Sequence, residues 1–185
     1  MSAITTTSVP TGVWTVDPAH SRVEFHVKHM GIATVRGTFG TFDGRLEIGD
    51  DHARASGTVE TASINTNEPQ RDAHLRSPDF FDAEVNPQIT FVSTAITPLD
   101  EDTFRITGDL TMHGITREVR LHAEVQGTDI DPWGNERVGL EVTGQLNRSD
   151  WEMKFNQALG SGNMLVSDKV KLALDISAIK QAAQP

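Results

Sequence analysis

Apolar and polar side chains alternate with a period of two along almost the whole chain. That is the signature of strands burying one face, because successive residues of a strand point to opposite sides. Between His20 and Lys28, the residues Val23, Phe25 and Val27 share one face and Arg22, Glu24, His26 and Lys28 the other. Phe104, Ile106, Leu110 and Met112 stand opposite Thr103, Arg105, Thr107, Asp109 and Thr111, and Val119, Leu121, Ala123 and Val125 stand opposite Glu118, Arg120, His122 and Glu124. Val170, Leu172, Leu174 and Ile176 close the series. Eight strands are predicted, over 20–28, 33–48, 53–64, 88–97, 103–112, 116–127, 136–147 and 166–177. The second changes face partway, with Val35 and Phe39 odd but Phe42, Leu46 and Ile48 even, which predicts a bulge or kink near Gly40.

Between the third and fourth strands, residues 69–76 read as a short helix, with Asn67 as N-cap, Pro69 in the first turn and Ser77-Pro78 as the stop. A further turn or short helix is expected over 151–155. His113-Gly114 between two strands predicts a tight hairpin, since Gly114 accepts positive φ without strain. Eight antiparallel strands with one apolar face each make a two-sheet sandwich or a closed barrel, and alternation alone does not separate them. Hairpin-length connections and the removal of sheet edges favour the barrel. At a tilt near 40° its wall would stand roughly 25 Å tall. The expected division is one barrel domain over 13–180 between tails at 1–12 and 181–185.

The chain has 185 residues, 37% hydrophobic and 23% charged, and a formal net charge of -10. No apolar run approaches the roughly 18 residues of a membrane helix, so stable membrane insertion is not expected. The negative charge disfavours nucleic acid and anionic membrane surfaces. Without cysteine there are no disulfides, thiol nucleophiles or thiolate metal sites. His20, His26 and His29 are the densest histidine group, but an extended strand puts His29 opposite the other two, so no metal site is expected. His20 and His113 read as turn residues whose rings bond loop carbonyls. Residues 129–134 have the spacing that begins a calcium loop, yet Trp133 and Leu140 occupy ligand positions, and a surface hairpin turn is the expectation. Residues 1–12 contain no Lys or Arg and no apolar block, so a cytoplasmic location is expected.

Six ordered blocks resemble the YceI family of lipocalin-like, polyisoprenoid-binding barrels. They are Asp17-Pro18-Ala19-His20-Ser21 with Phe25 and Lys28-His29, then Val35-Arg36-Gly37-Thr38-Phe39, the stretch from Arg71 to Asp82, Pro87-Gln88-Ile89-Thr90-Phe91, the stretch from Gly108 to Thr116, and Asn147-Arg148-Ser149-Asp150-Trp151. The pattern departs at Trp151-Glu152, where many relatives resemble Phe-Gly. The resemblance implies an eight-stranded antiparallel barrel with a helix over one end, frequent homodimers, and a long lipid inside, an isoprenoid lipid or quinone or a fatty-acid derivative.

From the residues alone, the apolar faces offer Val23, Phe25, Val27, Phe39, Phe91, Phe104, Ile106, Leu121 and Leu172 as a lining. Alternation leaves a hollow lumen and a filled core equally open, and the resemblance favours the hollow one. Leu75, Phe80 and Phe81 would form a lid against the ligand's apolar end. Arg71, Asp72 and His74 would either orient a polar head group or hold the helix on the barrel. No catalytic constellation stands out. An enzyme acting on an apolar substrate in the same barrel, and a ligand-free structural barrel, are the alternatives.

Overall fold

A computed structural model describes residues 8–182. The strands are β1 (Gly12–Val16), β2 (Arg22–His29), β3 (Ala33–Phe39), β4 (Phe42–Ile48), β5 (Ala53–Glu60), β6 (Ile64–Asn65), β7 (Gln88–Pro98), β8 (Thr103–Met112), β9 (Ile115–Ile130), β10 (Glu136–Asn147) and β11 (Val166–Lys180), with one helix, α1 (Pro69–Arg76). Ten of them follow the eight expected courses, two of which are split, 33–48 into β3 and β4 at Gly40 and 53–64 into β5 and β6 around Thr61–Ser63. β1 lies ahead of the first expected strand, separated from β2 by the 3₁₀ turn Pro18–His20, and was not expected. The kink expected near Gly40 is thus a full break. There Gly40 N–H donates to the Ser63 carbonyl and Glu60 N–H to that of Thr41. No described helix is long and apolar enough to cross a membrane.

The sheet closes into an eight-stranded antiparallel barrel, β1-β4-β5-β7-β8-β9-β10-β11 and back to β1. Closure rests on β11. Its end pairs with β1 (Val16 with Ala178, Trp14 with Lys180), while its first two-thirds pairs with β2, from Val166 opposite His29 to Asp175 opposite Arg22. Above the ring, β2, β3 and β6 continue the wall, and β6 meets β3 at only two positions, Thr38 with Asn65 and Phe39 with Ile64. Helix α1 follows β6 directly.

Several local expectations need correction. Helix α1 is capped by Glu68, not Asn67. The Glu68 carboxylate accepts from the Gln70 and Arg71 amides, and Asn67 sits at φ 64 with its amide donating to Asn65 Oδ1. The turn expected over 151–155 lies earlier, as the 3₁₀ helix Arg148–Trp151, and Glu152 ends it at φ 58. A glycine would meet that left-handed position without strain. The boundary drawn at residue 12 cuts into ordered chain. Gly12 opens β1, Val9 is buried, and Trp14 Nε1 donates to the Pro10 carbonyl at 3.0 Å. Residues 1–7 and 183–185 of the expected tails lie outside the described residues. The His113-Gly114 hairpin is as expected, with φ 54 and 73, and His113 Nδ1 bonds the Trp151 carbonyl at 2.8 Å. His20 instead bonds the Asp17 carboxylate.

Two apolar clusters divide the interior. At the ring end, Trp14, Phe104, Ala123, Val125, Val138, Val142 and Ala178 pack as a plug. Toward α1, Phe25, Phe39, Ile64, Ile89, Met112, Val119, Leu146, Trp151 and Met153 form a second cluster. Outside the plug, Arg137 bridges two chain-distant carboxylates, Asp17 at 2.9 Å and Asp131 at 2.8 Å. Asp131 also caps its hairpin, accepting from the Trp133 and Asn135 amides, so residues 129–134 form the surface turn expected. The guanidinium draws the Asp131 pKa down to about 2, and holds that of Asp17 below the usual range.

Two predictions follow from this packing. Phe104→Ala should lower unfolding free energy by about 3–5 kcal/mol in denaturant titration, the range for emptying an aromatic core site. A carboxylate held below its unfolded pKa stabilises the fold above that unfolded value and loses the contribution as pH falls through the folded one. Wild type should therefore lose more stability than Asp131→Asn between about pH 4 and pH 2, as read by thermal melts across that interval.

Candidate functional site

A cavity of about 510 Å³ runs inside the barrel from α1 to the plug, where Val142 and Ala178 face it, within the roughly 300–1,000 Å³ usual for small-molecule sites. Inward-facing residues of nearly every strand line it. Of the lining expected from sequence, Val23, Phe25, Val27, Phe39, Phe91, Ile106, Leu121 and Leu172 all face it, as do Leu75, Phe80 and Phe81 from α1 and the segment after it. Phe104 does not. Its parity is right, but it stands at the ring end, 6% exposed within the plug beside Ala123 and Val138. Alternation reports which face a residue takes and says nothing about its height along the barrel axis.

The cavity stays open partly because bulky side chains lie against glycine. Gly37 is the register partner of Phe25 across β2 and β3. A Cβ on Gly37 would come within 2.2 Å of the Phe25 ring, so the ring lies along the wall where any other residue would push it off. Gly108 does the same for Phe91, whose ring would stand 2.5 Å from an added Cβ. Phe25 then packs on Phe39 at 5.6 Å between centroids, and Phe39 edge-on to Phe81 at 5.9 Å. The line of rings carries the wall across to the segment after α1.

Helix α1 is fastened by a buried polar clamp. Asp72, expected as a head-group contact, is buried and accepts from both the amide and the hydroxyl of Thr66, at 2.8 and 2.5 Å. It does not line the cavity. Its carboxylate satisfies backbone where β6 hands over to the helix, which is the anchoring alternative. Arg71 joins the clamp through Nε to Thr66 Oγ1 and Nη2 to the Thr66 carbonyl, both at 2.8 Å, and it also faces the cavity. His74 lines the cavity while Nε2 meets Asp79 at 2.8 Å, and its ring packs edge-on to Phe80 and Phe155.

Arg148 is a buried polar lining residue that sequence reasoning missed. Only 5% exposed, it donates to three main-chain carbonyls, those of Met153 (2.6 Å), Ser167 (3.0 Å) and Val166 (3.2 Å). Its guanidinium lies 5.8 Å from the Phe80 ring centre. Burial lowers its pKa, opposed by the field of Asp168, yet an arginine keeps its charge in a protein. The signal was present in parity, because Arg148 continues the inward series Leu140, Val142, Gly144 and Leu146. Leu110, Met112 and Val119 were read as apolar-face residues and also line the cavity. Met153 and Phe155 come from a segment without periodicity and left no such trace.

The architecture can be set beside known proteins. Residues 14–178 match the family model described as YceI-like domain. Protein YceI of Escherichia coli O157:H7 is 37% identical over 165 residues, covering 88% of this chain and 83% of that one. Among solved structures, BcnA of Burkholderia cenocepacia is similar with a TM-score of 0.76 at 23% identity, over 88% of this chain and 98% of that one. A polyisoprenoid binding domain from Saccharophagus degradans gives 0.70 at 14% identity, over 91% and 98%. These two likenesses concern the fold, whereas the family model spans the barrel from Trp14 in β1 to Ala178 in β11, and on that ground the chain belongs to the YceI family.

Proposed function

We propose that the protein binds a long-chain apolar molecule in the barrel, an isoprenoid lipid or quinone or a fatty-acid derivative, and carries or sequesters it. The observation that carries this reading is the cavity of about 510 Å³ walled by inward apolar side chains. Removing hydrocarbon from water there gains roughly 25 cal/mol per Å² buried, which scales with chain length and asks little of shape. Arg71, His74 and Arg148 line the cavity at the α1 end, His74 and Arg148 meeting across the Phe80 ring, and supply donors for a polar head. The apolar tail then lies toward Phe91, Ile106 and Leu121. The polyisoprenoid ligand named for the structural neighbour supports the ligand class.

Native mass spectrometry of purified protein, followed by solvent extraction, should release a quinone, polyprenol or fatty acyl compound in near-stoichiometric amount. A host that makes no ligand yields clean apo protein, so titration with the fluorescent fatty acid cis-parinaric acid accompanies it. Absence of both a copurifying lipid and saturable fluorescence would overturn the reading.

The glycine-backed wall gives a sharper test. Gly37→Ala should displace the Phe25 ring into the lumen, weakening cis-parinaric acid binding about tenfold at an overpacking cost of about 1–3 kcal/mol. Adding Phe25→Leu to that variant should restore binding. Equal affinity in wild type and Gly37→Ala would show that the ligand does not occupy this level of the barrel.

A further inference from the structure

We infer that the cavity end of the barrel docks on an anionic phospholipid bilayer, through an apolar lip formed by the β2–β3 hairpin and the turn before β11. This rests on the lipid-binding reading for its purpose but on separate residues for its evidence. Met30, Ile32 and Met164 are 36%, 78% and 46% exposed. The two segments are joined, Met30 N–H donating to the Leu165 carbonyl at 2.9 Å and Asn163 Nδ2 to the Met30 carbonyl at 3.5 Å. Their inner neighbours His29, Leu165 and Val166 line the cavity, so the lip is continuous with the lumen.

Charge selects the occupant. Although the chain carries a net charge of -10, residues 25–41 and 153–167 contain no Asp or Glu. Lys171, His26 and Arg36 stand side by side on the outer wall below the lip, register partners across β11, β2 and β3. Lys169 lies one pleat from Lys171. Among the described residues, the ion pairs include none with Arg36, Lys169 or Lys171. The nearby carboxylates are engaged, Glu24 with Arg22 and beside His26, and Asp168 with the Ser149 amide and hydroxyl. Exposed apolar tips above unpaired cations are what an anionic interface takes up, the tips entering the headgroup boundary and the cations held by surface potential.

The other end of the molecule provides the contrast. Ile130 and Trp133 are 67% and 80% exposed there, but Asp129 and Asp131 flank them. An anionic surface repels that tip. The segment after α1 carries Asp79, Asp82 and Glu84, so contact is one-sided, through the β2–β3 wall.

Co-sedimentation with sucrose-loaded vesicles tests the inference. Wild type should bind roughly 3:1 phosphatidylcholine–phosphatidylglycerol vesicles, release as salt is raised, and bind pure phosphatidylcholine at least about tenfold more weakly. Ile32→Asp and the pair Arg36→Glu/Lys171→Glu should each reduce binding to mixed vesicles at least about tenfold. Both variants should keep the wild-type melting temperature and cis-parinaric acid affinity in vesicle-free buffer. Wild type that ignores mixed vesicles, or variants that bind them as wild type does, would overturn the inference. So would a lip variant whose only change is loss of self-association in light scattering, because the occupant would then be a second copy. If vesicle docking holds while no lipid copurifies and cis-parinaric acid never binds, the docking surface stands and the cavity reading fails.

Discussion

Everything in this molecule depends on how a rolled sheet satisfies its last row of backbone hydrogen bonds. An open edge strand offers unpaired N–H and C=O groups to any other chain, and closure removes that liability. Here β11 alone closes the ring, because it is long enough to serve two partners, β1 at its end and β2 along most of its length. The 3₁₀ turn at Pro18–His20 lets one strand course become those two partners. The cavity is what remains when the ring end is filled by large side chains and the other end is finished by α1.

The two ends therefore differ in kind. At the ring, Trp14 and Phe104 fill the cross-section, and an arginine shared by two carboxylates ties the outer loops together. At the α1 end, two guanidiniums are held by uncharged acceptors, Arg148 by three main-chain carbonyls and Arg71 by the Thr66 hydroxyl and carbonyl. Such attachment orients Arg71 and Arg148 without a directly bonded carboxylate, whereas His74 meets Asp79. The buried charge of Arg148 thus stays available to whatever occupies the lumen.

Much of this architecture was legible because a strand's period of two is a strong physical signal. Phe25, Phe91, Leu121 and Leu172 could be assigned inward from alternation alone, and the hairpin at His113-Gly114 from turn chemistry. What alternation lacks is the axial coordinate, which is why Phe104 was grouped with the lining though it belongs to the plug. Parity could have placed Arg148 inside, but the expectation that charges face water worked against it. Met153 and Phe155 were invisible because an irregular segment has no period. Asp72 was left between two roles because a helical carboxylate near a cavity looks the same in sequence whether it meets a ligand or its own backbone. The helix cap shifted by one residue because Glu68 reaches the same amides from one position later.

The seam between β3 and β6 has a consequence for motion. It consists of two facing residue pairs, whereas β10 and β11 are zipped along eleven. Local opening follows the fewest bonds broken. Excursions that admit a bulky molecule can therefore part the wall beside α1 while the β1–β11 closure stays intact. In amide hydrogen exchange the upper wall would behave as a hinged door, cycling faster than the frame that carries it.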